Sequence, residues 1–373
     1  MIQFELATPA DDAELRALLR THPLTGRVSL SFEREPSFFS AAAVEGPFHQ
    51  TVVARDPGAV HPAGMVGRSI RALYVNGVAR PIGYFSQFRA RADRAWGLAL
   101  ARVVARGIHF LGQLHSDGRA PFYLVSIIAD NLPARRLLTA AGPGLPTLVP
   151  YAALHTFALA VGRLRRAESL PSHLHLRAAT ADDLPGILDC LARNGPRRQF
   201  TPCWTRDTLC RPAHTPNLRP EDFHLVLDGR QVVGCVALWN QMPFKQTIVR
   251  GYSALFRRAR PLLNAMARTA SWPALPAVGQ PIRHAFASHL AVDGDDQRVL
   301  AALLCSAHNR ACDLKLSYVM LGLAPGDPFH AWLRRSYRHL TYASQIYLAA
   351  WPDGLDAVAA VDKRHLGLDV ALL

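Results

Sequence analysis

Hydrophobic and polar residues alternate along the chain in an order that predicts strands and helices. Residues 2–7 alternate with a period of two, as in a strand, and Thr8 to Asp11 then form a capping box with proline at the first helical position. The buried stripe of the next helix is formed by Leu15, Leu18 and Leu19. The chain is therefore expected to begin with a strand and an amphipathic helix.

The rest of the first half predicts a loop, three strands, a helix, a buried strand, a second helix and a last strand. The loop runs from Phe32 to Phe39, and Asn76-Gly77 is a hairpin signal. The strands are predicted at Thr51–Ala54, Gly64–Ala72, Ile82–Phe88, Phe122–Ile128 and Thr156–Val161. One helix has Leu100, Val103, Val104 and Ile108 on one face, and the other is predicted at Leu132–Ala141.

The same order of elements starts again after a charged linker. Thr180 to Asp183 repeats the capping box of Thr8 to Asp11. Strands are predicted at His175–Ala178, Phe223–Leu227, Gln231–Leu238, Arg283–Val292, Leu316–Leu323 and Ser344–Ala350, and helices at Val299–Ala307 and Pro328–Arg338. The repeat predicts an internal duplication. Its parts are a first domain at 1–162, a linker at 163–174, a second domain at 175–352 with an insert at 241–280, and a tail at 353–373.

One stretch of the first half is suited to an anion. Gly83 to Ile108 predicts a strand, a basic loop and a helix, and Arg94-Ala95-Trp96-Gly97-Leu98-Ala99 places small residues where the helix begins. The free N–H groups of a first helical turn and the helix dipole attract an anion, and the arginine adds positive charge. The stretch therefore predicts a phosphate site.

This hexapeptide resembles the acyl-CoA loop of the GNAT acyltransferase superfamily, in which Gln or Arg is followed by two residues, Gly, one residue, and Gly or Ala. Asn131, with Ala134 and Leu137, resembles the later helix of the family that flanks the CoA arm. The resemblance implies an α/β fold of the α+β kind, with two tandem GNAT-like domains, each a mixed central sheet flanked by helices. It implies that CoA contacts Phe88, Arg89, Arg94, Ala95, Trp96, Gly97, Leu98, Ala99 and Asn131.

The resemblance also implies a reaction. An acceptor amine would attack the thioester of acetyl-CoA directly, in a ternary complex in the first half. The donor would be acetyl-CoA or another acyl-CoA, and the acceptor a primary amine of a small molecule, a peptide or a protein. In the second half the equivalent loop carries Asp293, Asp295 and Asp296, which would repel a diphosphate. The second copy is therefore predicted to be degenerate.

The acid and base of this reaction are expected among four residues. The family often has Tyr where Leu138 stands and a carboxylate on the strand before the phosphate loop, which has none here. The remaining candidates are Tyr84, Tyr151, Glu33 and Glu35. The structural alternatives are packing for Tyr84, and pairing with Arg34 or helix capping for the two glutamates. A non-catalytic acyl-CoA-binding or regulatory module stays open as the alternative function.

The composition of the chain limits which binding partners and metal sites are expected. The 42 Lys and Arg against 28 Asp and Glu give a formal charge of +14, which attracts anions. An RNP-like aromatic motif and a zinc finger are both missing from the sequence, which argues against nucleic acid as a partner. The six cysteines have no zinc-type spacing, so no metal site is predicted.

The sequence also bears on the cellular location and the oligomeric state of the protein. The sequence contains no apolar run of the ~20 residues that cross a bilayer, and its N-terminus lacks a signal-peptide pattern, so a cytoplasmic protein is expected. A monomer and a homodimer both stay open. A basic amphipathic helix is predicted at Tyr252–Ala267, in the insert. We expect it to pack onto its own domain rather than onto a membrane or nucleic acid, through Leu255, Phe256, Leu262 and Leu263.

Overall fold

The computed structural model describes residues 2–57, 61–90, 97–140, 142–166 and 169–373. Within these ranges the strands are β1 (Gln3–Leu6), β2 (Val28–Glu33), β3 (Phe48–Arg55), β4 (Gly64–Val75), β5 (Val78–Ala90), β6 (Tyr123–Ile128), β7 (Thr147–Ala160), β8 (Leu174–Ala178), β9 (Phe223–Asp228), β10 (Gln231–Trp239), β11 (Gln246–Tyr252), β12 (His284–Val292), β13 (Tyr318–Leu323) and β14 (His339–Ala350). The α-helices are α1 (Asp12–Thr21), α2 (Phe38–Ala42), α3 (Gly97–His115), α4 (Leu132–Leu138), α5 (Leu184–Asn194), α6 (Arg206–Cys210), α7 (Ala254–Thr269), α8 (Gln297–Asp313), α9 (His330–Ser336) and α10 (Leu355–Ala359).

Twelve of these strands form one mixed sheet. Their order across the sheet is β1-β3-β4-β5-β6-β14-β7-β13-β12-β10-β9-β8, while β2 and β11 form a separate antiparallel pair. Two neighbouring pairs in the large sheet, β5 with β6 and β12 with β13, are parallel. A large mixed sheet flanked by helices confirms the predicted α/β class.

The two halves of the chain share this sheet. Strand β14, from the end of the second half, lies between β6 and β7 of the first half. Strand β7 in turn pairs with β13, where Ala160 lies opposite Tyr318. The last strand of each half therefore pairs with strands of the other half. The domain limits at residues 162 and 175 stay a prediction.

Local sequence signals predicted the bounds of most helices and strands to within a few residues. Both capping boxes, at Thr8 and at Thr180, are present. Asn76 and Gly77 form the turn between β4 and β5 with positive φ angles of 53° and 83°, as the hairpin signal requires. The strand predicted at Thr156–Val161 is the end of a longer strand, β7, and the helix predicted to reach Ala141 ends at Leu138.

The loop predicted from Phe32 to Phe39 is wrong at its start. Phe32 and Glu33 are the last residues of β2, which pairs with β11, so that Glu33 lies opposite Gln246. The partner strand comes from the insert, more than 200 residues later. Local sequence does not indicate such a pairing, because strand formation depends on the neighbouring strand as much as on propensity.

The helix of the insert is confirmed, but its predicted packing is partly wrong. Helix α7 begins and ends within two residues of the predicted limits. Leu255 is 75% exposed and Leu262 is 65% exposed, whereas Phe256 and Leu263 are half-buried. The segment around Leu275 packs against the face of α7 on which Asn264 lies. Half of the apolar stripe therefore faces outwards.

Helix α3 packs against the sheet where β5 and β6 are paired. Its Ile108 and Leu111 belong to one apolar cluster with Phe85 and Tyr123. The rings of Phe85 and Tyr123 stack with centroids 4.1 Å apart. A Cβ at Gly83 would lie 2.0 Å from Cδ1 of Tyr123, so the ring can occupy this place only beside glycine. This cluster fixes the point from which the two strands diverge.

Candidate active site

Strands β5 and β6 separate and leave a wedge between them. They are paired only from Gly83 to Phe85 on β5 and from Tyr123 to Val125 on β6, although β5 continues to Ala90 and β6 to Ile128. We call the space beyond Phe85 and Val125 the open wedge. A cavity of about 310 Å³ lies there, lined by residues of both halves of the chain. Beyond Phe85, the described residues provide no strand that pairs with β5 on the side of β6, so this edge can pair with a ligand.

A bulge bends β5 inside the open wedge. The register with β4 shifts between Met65 and Gly67, and Gln87 has a φ of +53°. The side-chain oxygen of Gln87 is buried and has no hydrogen-bond partner among the described residues. Bulges occur often beside active sites, because they re-aim side chains and interrupt strand pairing. The bulge marks the part of the wedge where a reacting group can approach the main chain.

A buried carboxylate lies behind the bulge. Glu45 accepts hydrogen bonds from Ser86, whose Oγ is 2.6 Å away, and from Nη2 of Arg34. Burial by itself would raise the pKa of Glu45, but Arg34, His49 and Lys245 reverse this, so that the pKa lies below its ordinary value. Ser86 lines the cavity. An ionised carboxylate is therefore connected to the cavity through a serine hydroxyl.

His49 belongs to the same cluster but carries no charge at neutral pH. Its Nε2 lies 3.7 Å from Oε2 of Glu45. Burial lowers the pKa of His49 to about 4, against the opposing effect of Glu45. The net charge of the cluster is therefore set by Glu45 and by the cations around it.

Three cations line the cavity. They are Arg34, Arg89 and Lys245. Burial and the charge of Arg34 lower the pKa of Lys245 to about 8, while Glu45 partly opposes the shift. The Nζ of Lys245 donates to the main-chain oxygen of Leu373 at 3.0 Å. This lysine therefore ties the last described residues of the chain to the wall of the cavity.

Two of the four predicted catalytic residues line the cavity. Tyr84 lies on β5, and burial together with the charge of Glu45 raises its pKa well above the ordinary value, so its hydroxyl stays protonated. Glu33 lies on the opposite wall. It accepts hydrogen bonds from Ser31 and from Arg250, whose Nε is 2.9 Å away.

The other two lie elsewhere. Glu35 pairs with Arg16 and with Arg20, whose Nη2 is 2.6 Å away. Tyr151 donates from its hydroxyl to the main-chain oxygen of Asp362 at 3.2 Å. Neither Glu35 nor Tyr151 lines the cavity. Burial raises the pKa of Tyr151 to about 12. The roles predicted for all four residues stay predictions.

The predicted CoA contacts are only partly within the described residues. Arg94, Ala95 and Trp96 lie outside them, while Gly97, Leu98 and Ala99 are the first residues of α3. Asn131 caps α4, since its Oδ1 accepts from the N–H of Ala134 at 3.2 Å. Asn131 also lines the cavity, as do Phe88 and Arg89. Three described members of the set, Phe88, Arg89 and Asn131, therefore border the open wedge.

Sequence reasoning missed Ser86, Glu45 and Lys245. Glu45 is a lone acid between the apolar stretch at 41–44 and Gly46-Pro47, and Lys245 is one of few lysines in an arginine-rich chain. A single charge in an apolar segment indicates a buried, paired group. This signal does not indicate that Glu45 and Lys245 lie beside the cavity of the open wedge.

The second half contains an equivalent wedge that is filled by the chain itself. Strands β12 and β13 are paired only up to Phe286 and Met320, and His289 has a φ of +54° at a bulge. The main-chain N–H of His289 donates to Oδ2 of Asp369 at 2.9 Å, and Ser288 donates to the same oxygen. We call residues 366–373 the strap and this space the filled wedge.

The fit of the strap in the filled wedge is close. A Cβ at Gly322 would lie 2.3 Å from Cγ1 of Val370. The N–H of Ala371 donates to Oδ1 of Asp369 at 3.0 Å, and burial holds the pKa of Asp369 above its ordinary value. The predicted counterpart of the phosphate loop also has its acids paired, since Asp293 binds Arg193 and Asp295 binds Arg198.

No helix in the described part of the chain is long and apolar enough to span a membrane. No group of three or more metal-binding side chains occurs within the described ranges.

The sequence matches no protein family model and no curated protein sequence. The fold, by contrast, is similar to that of solved acyltransferases. A GCN5-related N-acetyltransferase from Sphaerobacter thermophilus aligns over 99% of this chain and 98% of its own, with a TM-score of 0.53 and 13% identity. N-myristoyltransferase from Saccharomyces cerevisiae with bound myristoyl-CoA aligns over 93% of this chain and 82% of its own, with a TM-score of 0.59 and 11% identity.

A third solved structure agrees with these two. A GCN5-related N-acetyltransferase from Anabaena variabilis aligns over 93% of this chain and 72% of its own, with a TM-score of 0.52 and 10% identity. The protein therefore has the fold of GNAT acyltransferases and N-myristoyltransferase.

Proposed function

We propose that the protein is an acyl-CoA-dependent N-acyltransferase whose active site is the open wedge of the first half. The observation that carries the proposal is the free edge of β5 beside a cavity of about 310 Å³, within the fold of known N-acyltransferases. The pantetheine arm of CoA carries two amides, which can pair with an open strand edge as an added strand does.

The phosphate groups of the donor are proposed to bind at the start of α3. This helix begins at Gly97, within the hexapeptide from Arg94 to Ala99 that resembles the acyl-CoA loop. A helix N-terminus attracts phosphate, and small residues allow close approach. Asn131 and α4 would flank the arm from the other side.

The proposed reaction is direct attack of the acceptor amine on the thioester carbonyl carbon. The ammonium group first loses one proton, which passes through the hydroxyl of Ser86 to Glu45. The nitrogen then forms a bond to the carbonyl carbon, and the carbon–sulfur bond breaks as the amide forms. The second proton of the amine goes to the leaving thiolate. Holding both reactants in one wedge lowers the entropic cost of this step.

Tyr84 is proposed to stabilise the leaving thiolate. It lies on β5 in the cavity, and its raised pKa keeps the hydroxyl protonated at neutral pH. A protonated phenol can donate a hydrogen bond to developing negative charge on sulfur. The sequence offered Tyr84 only as a candidate acid or base.

The second half is proposed to be a degenerate copy that binds no CoA in its own wedge. Ser86 and Gln87 correspond to Ser288 and His289 at the two bulges, which supports a duplication. Asp369 accepts the hydrogen bonds that a ligand would otherwise accept. The second half then contributes walls to the open wedge, through residues such as Phe286, Met320 and Tyr342.

Acetyl-CoA is the proposed donor, and a longer acyl-CoA is a second candidate that one observation favours. An apolar cavity of about 160 Å³ lies between α3 and the sheet, with Val104 and Ile108 in its wall. It shares Phe88, Arg89 and Ala134 with the cavity of the open wedge. Each methylene buried there would contribute about 0.8 kcal/mol. A series from acetyl- to octanoyl-CoA in a thiol-release assay decides between the donors by kcat/KM.

Calorimetry with acetyl-CoA tests the proposed site. The double substitution Arg94→Glu with Gly97→Glu should weaken binding at least about 100-fold, because two carboxylates would face the diphosphate. Gln297→Glu at the start of α8 is the matched control, since this helix begins beside the filled wedge, and it should leave binding unchanged. Unchanged affinity in the double variant contradicts the proposed site. Binding without thiol release for any amine supports the non-catalytic module instead.

A further inference from the structure

Two arginines that line the open wedge have unused hydrogen-bond donors. Arg34 is 2% exposed, and its Nη1 has no partner among the described residues. Arg89 has a buried Nε that likewise has none, while its Nη1 donates to the main-chain oxygen of Phe88 at 2.9 Å. Burying a polar donor without an acceptor costs free energy. Both side chains therefore have buried donors that no described residue satisfies.

The carboxylates around the cavity are already engaged. Glu45 accepts from Arg34 and Ser86, and Glu33 accepts from Arg250 and Ser31. In the described part of the chain, Arg89 forms no ion pair with any carboxylate. Its negative partner is therefore not supplied by the described residues.

The remaining titratable groups add positive charge or none. Lys245 is a third cation in the wall. Burial lowers the pKa of both His49 and His284, so these rings are neutral at pH 7. Burial and the charge of Arg34 lower the pKa of Arg89, which indicates that its charge lacks compensation. The cavity thus has more positive than negative charge to offer a ligand.

We propose that Arg34 and Arg89 bind the carboxylate of the acceptor, which makes the acceptor an amino acid rather than a simple amine. The planar guanidinium matches a carboxylate in a two-bond fork, and such charge-assisted bonds are among the strongest in proteins. The proposal rests on the proposed N-acyltransferase function and names the acceptor class for that site.

The arrangement places the carboxylate site beside the proposed proton acceptor. Arg34 binds Glu45, and Ser86 precedes Arg89 by three residues on β5. An amine held by its own carboxylate at Arg34 and Arg89 is therefore kept close to the hydroxyl of Ser86. The wall contributed by the second half includes Phe286 and Met320, which favour an apolar amino-acid side chain.

An acceptor series with the full chain tests the carboxylate. The twenty amino acids are first compared in a thiol-release assay at saturating acetyl-CoA. The best of them is then compared with its amide and with the amine that lacks the carboxyl group. We expect kcat/KM to be at least about 30-fold higher for the amino acid, since one or two charge-assisted bonds are lost in the others.

Substitutions of Arg89 test whether this residue causes the preference for an acceptor with a carboxylate. Arg89→Gln should raise the KM for the amino acid about tenfold or more. It should leave the KM for acetyl-CoA unchanged, in contrast to the CoA contact that the family resemblance implies for Arg89. Arg89→Glu should reverse the preference in favour of the amine without a carboxylate. Arg177→Gln, at an exposed arginine paired with Asp183, is the matched control and should change neither constant. Arg34 is unsuitable as the only test, because its loss also leaves Glu45 unpaired.

Several outcomes would overturn the proposal. Equal rates for the amino acid, its amide and the amine would exclude a carboxylate site. Thiol release in the same assay would still support the proposed N-acyltransferase function. A rise in the KM for acetyl-CoA with Arg89→Gln would assign the side chain to the donor instead. If no acceptor is turned over, calorimetry of the amino acids with CoA-saturated protein decides. Absence of binding there excludes the proposal, whereas the proposed function fails only if acetyl-CoA itself does not bind.

Discussion

The open wedge and the filled wedge are built alike and are used differently. In each, two parallel strands are paired for three residues and then diverge, and a bulge with positive φ follows a serine. In the first half the space beyond the bulge is a cavity. In the second half Asp369 accepts from Ser288 and from the N–H of His289. The same backbone device therefore holds a segment of the chain in one place and is open to a ligand in the other.

The comparison shows two different outcomes for main-chain groups at diverging strands. Diverging strands leave main-chain groups that need partners. The strap satisfies them from within the chain, at no cost in translational freedom, and it cannot be displaced easily by a ligand from solution. It also reaches the open wedge, where Lys245 binds the oxygen of Leu373. The filled wedge thereby supports the wall of the open one.

The largest expected effect comes from emptying the filled wedge. Asp369→Ala removes the acceptor for Ser288, His289 and Ala371, and it should lower the free energy of unfolding by about 3 kcal/mol, at about 1 kcal/mol for each hydrogen bond. Denaturant unfolding measures the change. Asp353→Ala, at an exposed aspartate, is the control and should cost much less. Equal losses in both variants would mean that the strap is not anchored by Asp369.

The next effect is the pH dependence of stability. Burial lowers the pKa of His289 to about 3, whereas the unfolded chain takes up this proton near pH 6.5. The unfolded state binds more protons between these values, so stability is complete above pH 6.5 and is lost as the pH falls, by up to about 1.4 kcal/mol per pH unit for this residue.

A substitution of His289 separates its contribution to the pH dependence of stability from that of the other histidines. His289→Gln should flatten the fall of the unfolding free energy between pH 6.5 and 4, measured by urea titration at each pH. His175→Gln, at an exposed histidine, should leave the slope as it was. An unchanged slope for His289→Gln would show that the ring in the filled wedge is not held neutral.

The paired serines distinguish the two wedges directly. Ser86→Ala should lower kcat about tenfold, because the proton path to Glu45 is interrupted, a change of about 1.4 kcal/mol. Ser288→Ala should leave kcat unchanged and lower the unfolding free energy by about 1 kcal/mol. Steady-state kinetics and unfolding are measured on both proteins. Similar kinetic losses in the two variants would contradict separate roles for the wedges.

The smallest expected effect separates the two predicted tyrosines. Tyr84→Phe should lower kcat about threefold to tenfold with little change in KM, because a donor to the thiolate is lost. Tyr151→Phe should affect only stability, by about 1 kcal/mol, since its hydroxyl donates to the main chain at Asp362 and Arg364. A kinetic loss with Tyr151→Phe alone would reverse this assignment.

The residues predicted for the site are divided between the cavity and other places in the structure, and their roles stay predictions. Tyr84, Glu33, Phe88, Arg89 and Asn131 line the cavity. Glu35 and Tyr151 are engaged elsewhere. Their residue types suited acid–base chemistry, but the partners that engage them come from distant segments. A candidate chosen by residue type alone could not be tested against those partners.

By itself, the sequence determined the local elements and their order. Capping boxes at Thr8 and Thr180, the Asn76-Gly77 turn and the apolar periodicity act over a few residues, so they are legible without a structure. Only the tertiary structure decided that β14 lies between β6 and β7, that β2 pairs with β11, and that the strap fills one wedge. These contacts join residues that lie far apart in the sequence. They depend on which surfaces and main-chain groups remain unsatisfied after the local elements have formed.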